Sequence, residues 1–228
     1  MCFPLKQNIL LKRNIINIMD KKLIIIIAAL TQFTATFAGT MVHIALPNIY
    51  NEFHLSVEML NWISIAFLTV FMAITIPMGK IISQFGLRKF TLINNIILIF
   101  GCILSILSGD IYMLIFSRII QALAVSGLSI SVFMMIVHEI PEKDVGSALG
   151  LVGSAGYVGL SSSPSIAGFI VYYASWRYTF LFIVILCIIQ FSLLLKVKKE
   201  WFGEKESMGY VGVYRLCYLN DYIYNRTY

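Results

Sequence analysis

The chain has 228 residues, of which 59% are hydrophobic and only 12% charged, with a formal net charge of +6 and a mean hydropathy of +0.86. A soluble domain carries about a quarter of its residues as Asp, Glu, Lys and Arg, and about half that density cannot cover a water-facing surface. The basic excess stands between apolar runs rather than on one face of a soluble module, which excludes nucleic acid as a partner. Cys2, Cys102, Cys187 and Cys217 are scattered, with no C-x-x-C pair and no neighbouring histidine, so neither a metal site nor a disulfide framework is expected.

Residues 1–22 are read as a basic cytoplasmic N-terminus, in which 1–18 shows no amphipathic pattern and Met19-Asp20-Lys21-Lys22 is the more natural start. Residues 1–18 are therefore expected to be an upstream extension. Six apolar stretches follow: Leu23 to Asn51, Met59 to Gly79, Phe90 to Gly109, Ile111 to Val137, Val145 to Trp176, and Tyr178 to Leu195. A helix of about 20 apolar residues crosses a hydrocarbon core of about 30 Å, so each stretch can span once. The first runs too far to be a signal peptide's apolar region, and five more spans follow it. Lipid requires every backbone group to be satisfied within the segment, and no stretch shows the short alternation of a membrane barrel. The predicted fold is an all-α integral membrane protein with a six-helix domain over residues 23–195, in contact with membrane lipid.

Lys and Arg set the orientation. Lys6, Lys12, Arg13, Lys21 and Lys22 precede the first span, and Lys80, Arg88, Lys89 and Lys143 fall in the second-to-third and fourth-to-fifth connections. Lys196, Lys198 and Lys199 follow the last span, whereas the alternate connections hold only Arg177. Both termini are thus expected in the cytoplasm, with the protein in the cell (inner) membrane. Residues 196–228 are read as a cytoplasmic tail in which Tyr210, Tyr214, Tyr218 and Tyr222 recur every four residues. An interfacial aromatic stripe and a truncated or out-of-frame end both stay open.

An ionisable group at membrane depth marks a functional site by default. Arg118 lies eight residues beyond Asp110, about 12 Å along its helix at about 1.5 Å per residue, and shares a helical face with Gln121, Ala122 and Val125. A substrate-binding or coupling role and a purely structural tie between helices both fit. His43 continues a polar line through Gln32, Thr36 and Thr40, which reads either as a proton-carrying cavity wall or as interhelical hydrogen bonding. No Asp or Glu falls inside a span. The fifth span carries Gly146, Gly150, Gly153, Gly156, Gly159, Ser163, Ala167 and Gly168, with Pro164 among them, and most are expected on one ridge that lets a neighbouring backbone approach. Protease, metal and phosphate-binding motifs are missing, so an enzyme is not expected.

Gly79 to Lys89, with Gly86 and Arg88 between, resembles the G-x-x-x-D-x-x-G-R-R/K signature of the major facilitator superfamily. Four further strings agree in order. Thr40 to Pro47 resembles the T-x-V-N-x-A-L-P of its drug/proton antiporter branch, the fourteen-span type. Arg118 to Ala124 resembles R-x-x-Q-G-x-G, Gly150 to Gly168 resembles the fifth-span antiporter signature, and Ser175 to Phe180 resembles S-W-R-x-x-F. The resemblance implies an N-terminal half built as two inverted three-helix repeats, with substrate bound near the midplane between two rocking halves.

It further implies that Gly79, Lys80, Ser83, Gly86, Arg88 and Lys89 belong to a cytoplasmic gating loop. Arg118 and Gln121, with the line from Gln32 to His43, would belong to the substrate and proton pathway. Gly153, Gly159, Pro164 and Gly168 would form a fifth-helix hinge. Ser83 stands where the signature has Asp, Leu87 where it has Arg, Ala38 where the branch carries Asp, His43 where it has Asn, and Ala122 where it has Gly. The implied function is proton-coupled efflux of small amphipathic compounds by alternating access, with no cofactor and the proton gradient as energy source. Because relatives continue with further spans after the equivalent of Met208 to Gly212, a second half or a second copy is the expected partner. A non-transporting fragment or assembly module is the alternative.

Overall fold

The computed structural model describes residues 3–54 and 56–197. The described residues form α1 (Phe3–Thr40), α2 (Val42–Phe53), α3 (Val57–Phe85), α4 (Leu87–Ile106), α5 (Ile111–Glu139), α6 (Glu142–Tyr173) and α7 (Arg177–Lys196). The tyrosine-rich tail and its expected stripe lie outside the described residues.

The first expected span is one rod made of two helices. At the joint, Met41 keeps helical dihedrals (φ −56°, ψ −31°) and still donates its N–H to Phe37 O at 3.0 Å. Pro47, inside α2, has no N–H to offer the carbonyl of His43. Among the described residues five segments are long and apolar enough to cross a membrane: Lys21–Phe53, Glu58–Ile82, Leu87–Ile106, Ile111–Glu139 and Arg177–Lys196. The 32-residue α6 is long enough, but its glycines and serines dilute its apolarity below that of the other spans.

One expected boundary moves. The second-to-third connection is not a loop, because α3 runs through Gly79 and Lys80 to Phe85 and α4 begins at Leu87. Ile82 and Leu87 are both fully buried, so core packing carries the helices up to the corner itself. Gly86 alone turns the chain, at φ 87° and ψ 130°, in the region that favours glycine.

The helices pack in related pairs. α6 lies along α1 as α3 lies along α5, and α4 packs on both α5 and α7. Exchanging spans one to three for spans four to six maps the second-on-fourth contact onto the fifth-on-first, which is the relation expected of two three-helix repeats. Because three is odd, the second repeat crosses in the opposite direction, so the repeats are inverted. The connections α2–α3, α4–α5 and α6–α7 share one end, here the far end. Lys21, Lys196 and the α3–α4 and α5–α6 corners share the near end. Asp110 caps α5 by accepting from Met113 N–H at 2.7 Å, and Ser56 caps α3 by accepting from Met59 N–H at 3.4 Å; both compensate orphan helix donors.

Two apolar clusters fill the bundle. One gathers Phe37, Met41, Ile63, Phe67, Leu98, Leu128 and Phe180 toward the far end. The other gathers Ile24, Ile82, Leu87, Val132, Ile136 and Leu194 toward the near end. Thr34, Asn95 and Gln190 are buried between them. Gln190 donates through Nε2 to Thr34 Oγ1 and to Leu30 O at 3.2 Å, and its Oε1 accepts from Asn95 Nδ2 at 3.1 Å. This tie joins α1, α4 and α7 through amides, which hold helices together where hydrocarbon gives no hydrophobic drive.

Candidate functional site

Arg118 is completely buried. Its Nη1 donates to Ala38 O at 3.1 Å and to Gln121 Oε1 at 2.6 Å, and its guanidinium lies 4.2 Å from the centre of the Phe67 ring. The face shared by Arg118, Gln121, Ala122 and Val125 is buried as a unit. Residues from α1, α3 and α5 therefore converge on one cation. The acceptor on α1 is the backbone carbonyl of Ala38, at the position where the resemblance would place a carboxylate. Among the described residues, Nε of Arg118 is buried without a hydrogen-bond partner. A buried charge met by neutral dipoles and a ring, with one donor unused, keeps several kcal/mol of its desolvation cost (about that much per ion). An added anion or electron-rich group beside it would offset part of that cost.

Gln121 in turn is held from α4. Its Nε2 donates to Gly101 O at 3.1 Å and to Ser105 Oγ at 2.7 Å, and Ser105 Oγ meets Ser117 Oγ at 2.6 Å. One turn up α4 matches one turn down α5, so Gly101 faces Gln121 and Ser105 faces Ser117. The glycine is needed because a Cβ at position 101 would stand 2.9 Å from Gln121 Cγ.

The line from Gln32 to His43 divides. Gln32 and Thr36 lie at the α1–α6 interface, where Thr36 Oγ1 is 2.9 Å from Gly156 O. Thr40 spends its hydroxyl on its own helix, at Thr36 O, 3.0 Å. His43, beyond the Met41 joint, is exposed. The hydrogen bonds thus bring Arg118 together with Gln121, and not with this line.

The expected small-residue ridge divides as well. Gly156, Gly159, Ser163 and Ala167 are buried on the α1–α2 side, with Gly159 so close that an added Cβ would stand 2.6 Å from Phe33 O. Gly146, Gly150 and Gly153 have open space beside them, because these positions turn to another side of the same 3.6-residue helix. Of the expected hinge residues, Gly159 is thus a packing position and Gly153 is not. Pro164 is exposed, and Gly168 makes only an ordinary 3.8 Å contact with Ile44.

The expected gating residues gather at the α3–α4 corner rather than in a loop. A Cβ added at Gly79 would meet no atom within 4 Å, Lys80 and Lys89 are exposed, and the side chain of Ser83 lies outside the described residues. Arg88 reaches across to the last turn of α7, its Nε 3.4 Å from Leu194 O, where a cation suits the negative helix end. A cavity of about 350 Å³ opens at the near end between Lys21, Lys22, Ile25 and the start of α6; the pathway residues do not line it.

Sequence reasoning missed Ser105, Ser117, Asn95 and Gln190, the neutral polar groups that complete these networks, and, although it singled out Trp176 and Arg177 in a motif, it missed Glu52 as their partner at the far end. The adjacent amides Asn94 and Asn95 and the isolated Gln190 in otherwise apolar runs were the available signals. Trp176 Nε1 donates to Glu52 Oε2 at 2.6 Å. Arg177 Nη1 donates to both Glu52 oxygens, at 2.7 and 3.0 Å, and its Nη2 to Ser108 O at 3.0 Å.

A multi-pass helical bundle, built from two inverted three-helix repeats around a wholly buried cation, defines the class: a helical membrane fold of inverted repeats. The chain belongs to the Major Facilitator Superfamily, whose profile matches residues 28–215. It is 27% identical over 177 residues to the riboflavin transporter RibZ of Clostridioides difficile, covering 78% of this chain and 39% of that protein. It is 28% identical over 158 residues to the efflux pump dotC of Dothistroma septosporum, covering 69% of this chain and 27% of that one. The fold matches a bacterial homologue of the human lysosomal transporter Spinster, in its inward-facing and unoccupied conformation, with a TM-score of 0.63 at 14% identity over 84% of this chain and 46% of that one. The chain thus spans less than half the length of these relatives, and its family is one of transporters rather than enzymes.

Proposed function

We propose that this chain is one half of a proton-coupled secondary transporter of the fourteen-span drug/proton antiporter type, exporting small amphipathic compounds by alternating access. Arg118 and Gln121 are the centre of its substrate and proton pathway. The observation that carries this reading is the guanidinium of Arg118, wholly buried on neutral acceptors with Nε unused. Packing alone does not require a charge there, since a buried apolar side chain of similar volume stabilises as well or better. One curated relative is named as a riboflavin transporter and another as an efflux pump; the first name supports a small organic substrate and the second supports export. The near-end Lys and Arg residues support a cytoplasmic near end and an inner-membrane location. On this reading the motive force is the proton gradient and no cofactor takes part.

A second reading is favoured by α3, in whose most apolar stretch only 11% of the residues are buried inside the bundle. Lipid or a second half must cover the rest, and the chain alone would then be an assembly module. Gradient-driven movement of a fluorescent amphipathic cation in proteoliposomes holding this chain decides between them. Movement that collapses with the pH gradient supports transport by this chain. No movement by protein that remains folded overturns it and leaves the module.

A further inference from the structure

We propose that the far-end clasp of Glu52, Trp176 and Arg177 positions Arg118, acting through the Ser105–Ser108 turn; the consequence for transport rests on the function proposed above. The clasp gathers all three far-end connections. Glu52 comes from the last turn of α2, Ser108 from the α4–α5 corner, and Trp176 and Arg177 from the start of α7. The carboxylate of Glu52 takes the indole N–H of a buried Trp176 and both bonds of Arg177, whose guanidinium also lies 4.4 Å from the indole ring centre.

The pair itself is open to water, at 28% and 39% side-chain exposure for Arg177 and Glu52. Exposed ion pairs contribute little to stability, so this geometry is more specific than stabilisation alone would need. What it holds is the carbonyl of Ser108. Ser108 Oγ donates to Ser105 O at 2.7 Å, and Ser105 Oγ receives Gln121 Nε2 at 2.7 Å. Gln121 Oε1 then receives Arg118. From the exposed carboxylate to the buried guanidinium each step is a hydrogen bond or a single residue of backbone, with Ser117 bracing Ser105 from the side. Loosening the clasp frees the Ser105–Ser108 turn, removes the shorter of the two bonds that orient Gln121, leaves its amide on Gly101 O alone, and so loosens the Oε1 that Arg118 meets. Glu52, Trp176 and Arg177 are positioning residues and do not touch substrate.

The test uses the full chain with Cys2→Ser, Cys187→Ala and Cys217→Ser, leaving Cys102, which is buried and adjacent to the Gly101 carbonyl that takes Gln121. Labelling of Cys102 by a membrane-permeant maleimide is read in proteoliposomes beside dye movement. Val132→Cys, in a version that also carries Cys102→Ala, reports the near-end core. Glu52→Gln should raise the Cys102 labelling rate about tenfold, within the coupling range of contiguous networks, and leave the Val132→Cys site unreactive. Glu52→Asp, which keeps the carboxylate, should return most of the protection. Glu52→Gln should also slow transport, as Arg118→Lys does, with little further loss when the two are combined.

Parent-level labelling in Glu52→Gln overturns the proposal, as does equal exposure of the Val132→Cys site, which would mean general loosening. If Cys102 responds as expected while Arg118→Ala transports like the parent, the positioning inference stands and the transport role of Arg118 falls. If transport needs Arg118 but Cys102 ignores the clasp, the reverse holds.

Discussion

The tight contact of α6 on α1 offers a quantitative test of the packing. Gly159 and Gly153 are both interior to α6, but a Cβ at 159 would stand 2.6 Å from Phe33 O and closer still to Thr36 Oγ1, whereas at 153 nothing lies within 4 Å. Phe33 O is a backbone atom of α1 and cannot swing aside. Restoring an ordinary contact distance needs α6 to withdraw by about 0.8 Å, in an interior packed as tightly as an organic crystal. Gly→Ala gains about the same helix propensity, roughly 1 kcal/mol, at either site, so the difference between the two variants isolates the clash. Overpacking of this kind costs about 1 to 3 kcal/mol. At about 2–4 °C per kcal/mol, Gly159→Ala should melt on the order of 5 °C below Gly153→Ala. The buried thiols of Cys102 and Cys187 give the readout: a thiol-reactive fluorophore reports their exposure during a thermal ramp in detergent. Equal midpoints for the two variants would refute the assignment of Gly159 as the α1–α6 contact.

Gly127→Ala should destabilise by about 1 to 3 kcal/mol, because its Cβ would stand 2.5 Å from Asn94 Oδ1. Adding Asn94→Ala should recover most of that loss in the same ramp, since it removes the obstructing side chain. Gly86→Ala, at φ 87°, forces an alanine into a positive-φ conformation and should cost about 1 to 3 kcal/mol; replacing Gly79, which has open space, should not. Gln190→Leu breaks the tie among α1, α4 and α7 and should cost about 0.6 to 2 kcal/mol, the range of interhelical hydrogen bonds in membrane bundles, read as earlier Cys187 labelling on heating.

The spans and the one buried cation among the described residues are legible in the sequence because hydrocarbon imposes them: an apolar run of sufficient length must be helical, and an arginine within one stands out by its charge. Gln121 is legible with Arg118 because a spacing of three residues puts both on one helical face. Ser105 and Ser117 are not, since serine is common in membrane helices and only the antiparallel register of α4 against α5 makes those two meet. The Glu52–Arg177 pair joins residues 125 positions apart, beyond any local periodicity. The glycines of α6 show the opposite failure. Steps of three and four suggest one ridge, but the drift of a 3.6-residue helix over about four turns carries Gly146, Gly150 and Gly153 off the face that Gly156 and Gly159 occupy. The α3–α4 corner reads as a loop because its charges mark a boundary, while the burial of Ile82 and Leu87 on either side of Gly86, which keeps the helices intact, is visible only in three dimensions.

The central claim is that the guanidinium of Arg118 works in transport and is not merely a helix tie. The initial rate of gradient-driven dye movement in proteoliposomes, compared for the parent, Arg118→Lys and Arg118→Ala at matched thermal stability, tests it most directly. Lysine keeps the charge but lacks the planar guanidinium that lies over the Phe67 ring while its Nη1 meets both Ala38 O and Gln121 Oε1. The expected result is a rate lowered at least about tenfold in Arg118→Lys, the equivalent of about 1.4 kcal/mol, and lost in Arg118→Ala, with both proteins folded. A folded Arg118→Ala protein that moves dye at the parent's rate would contradict the claim and reduce Arg118 to a structural residue.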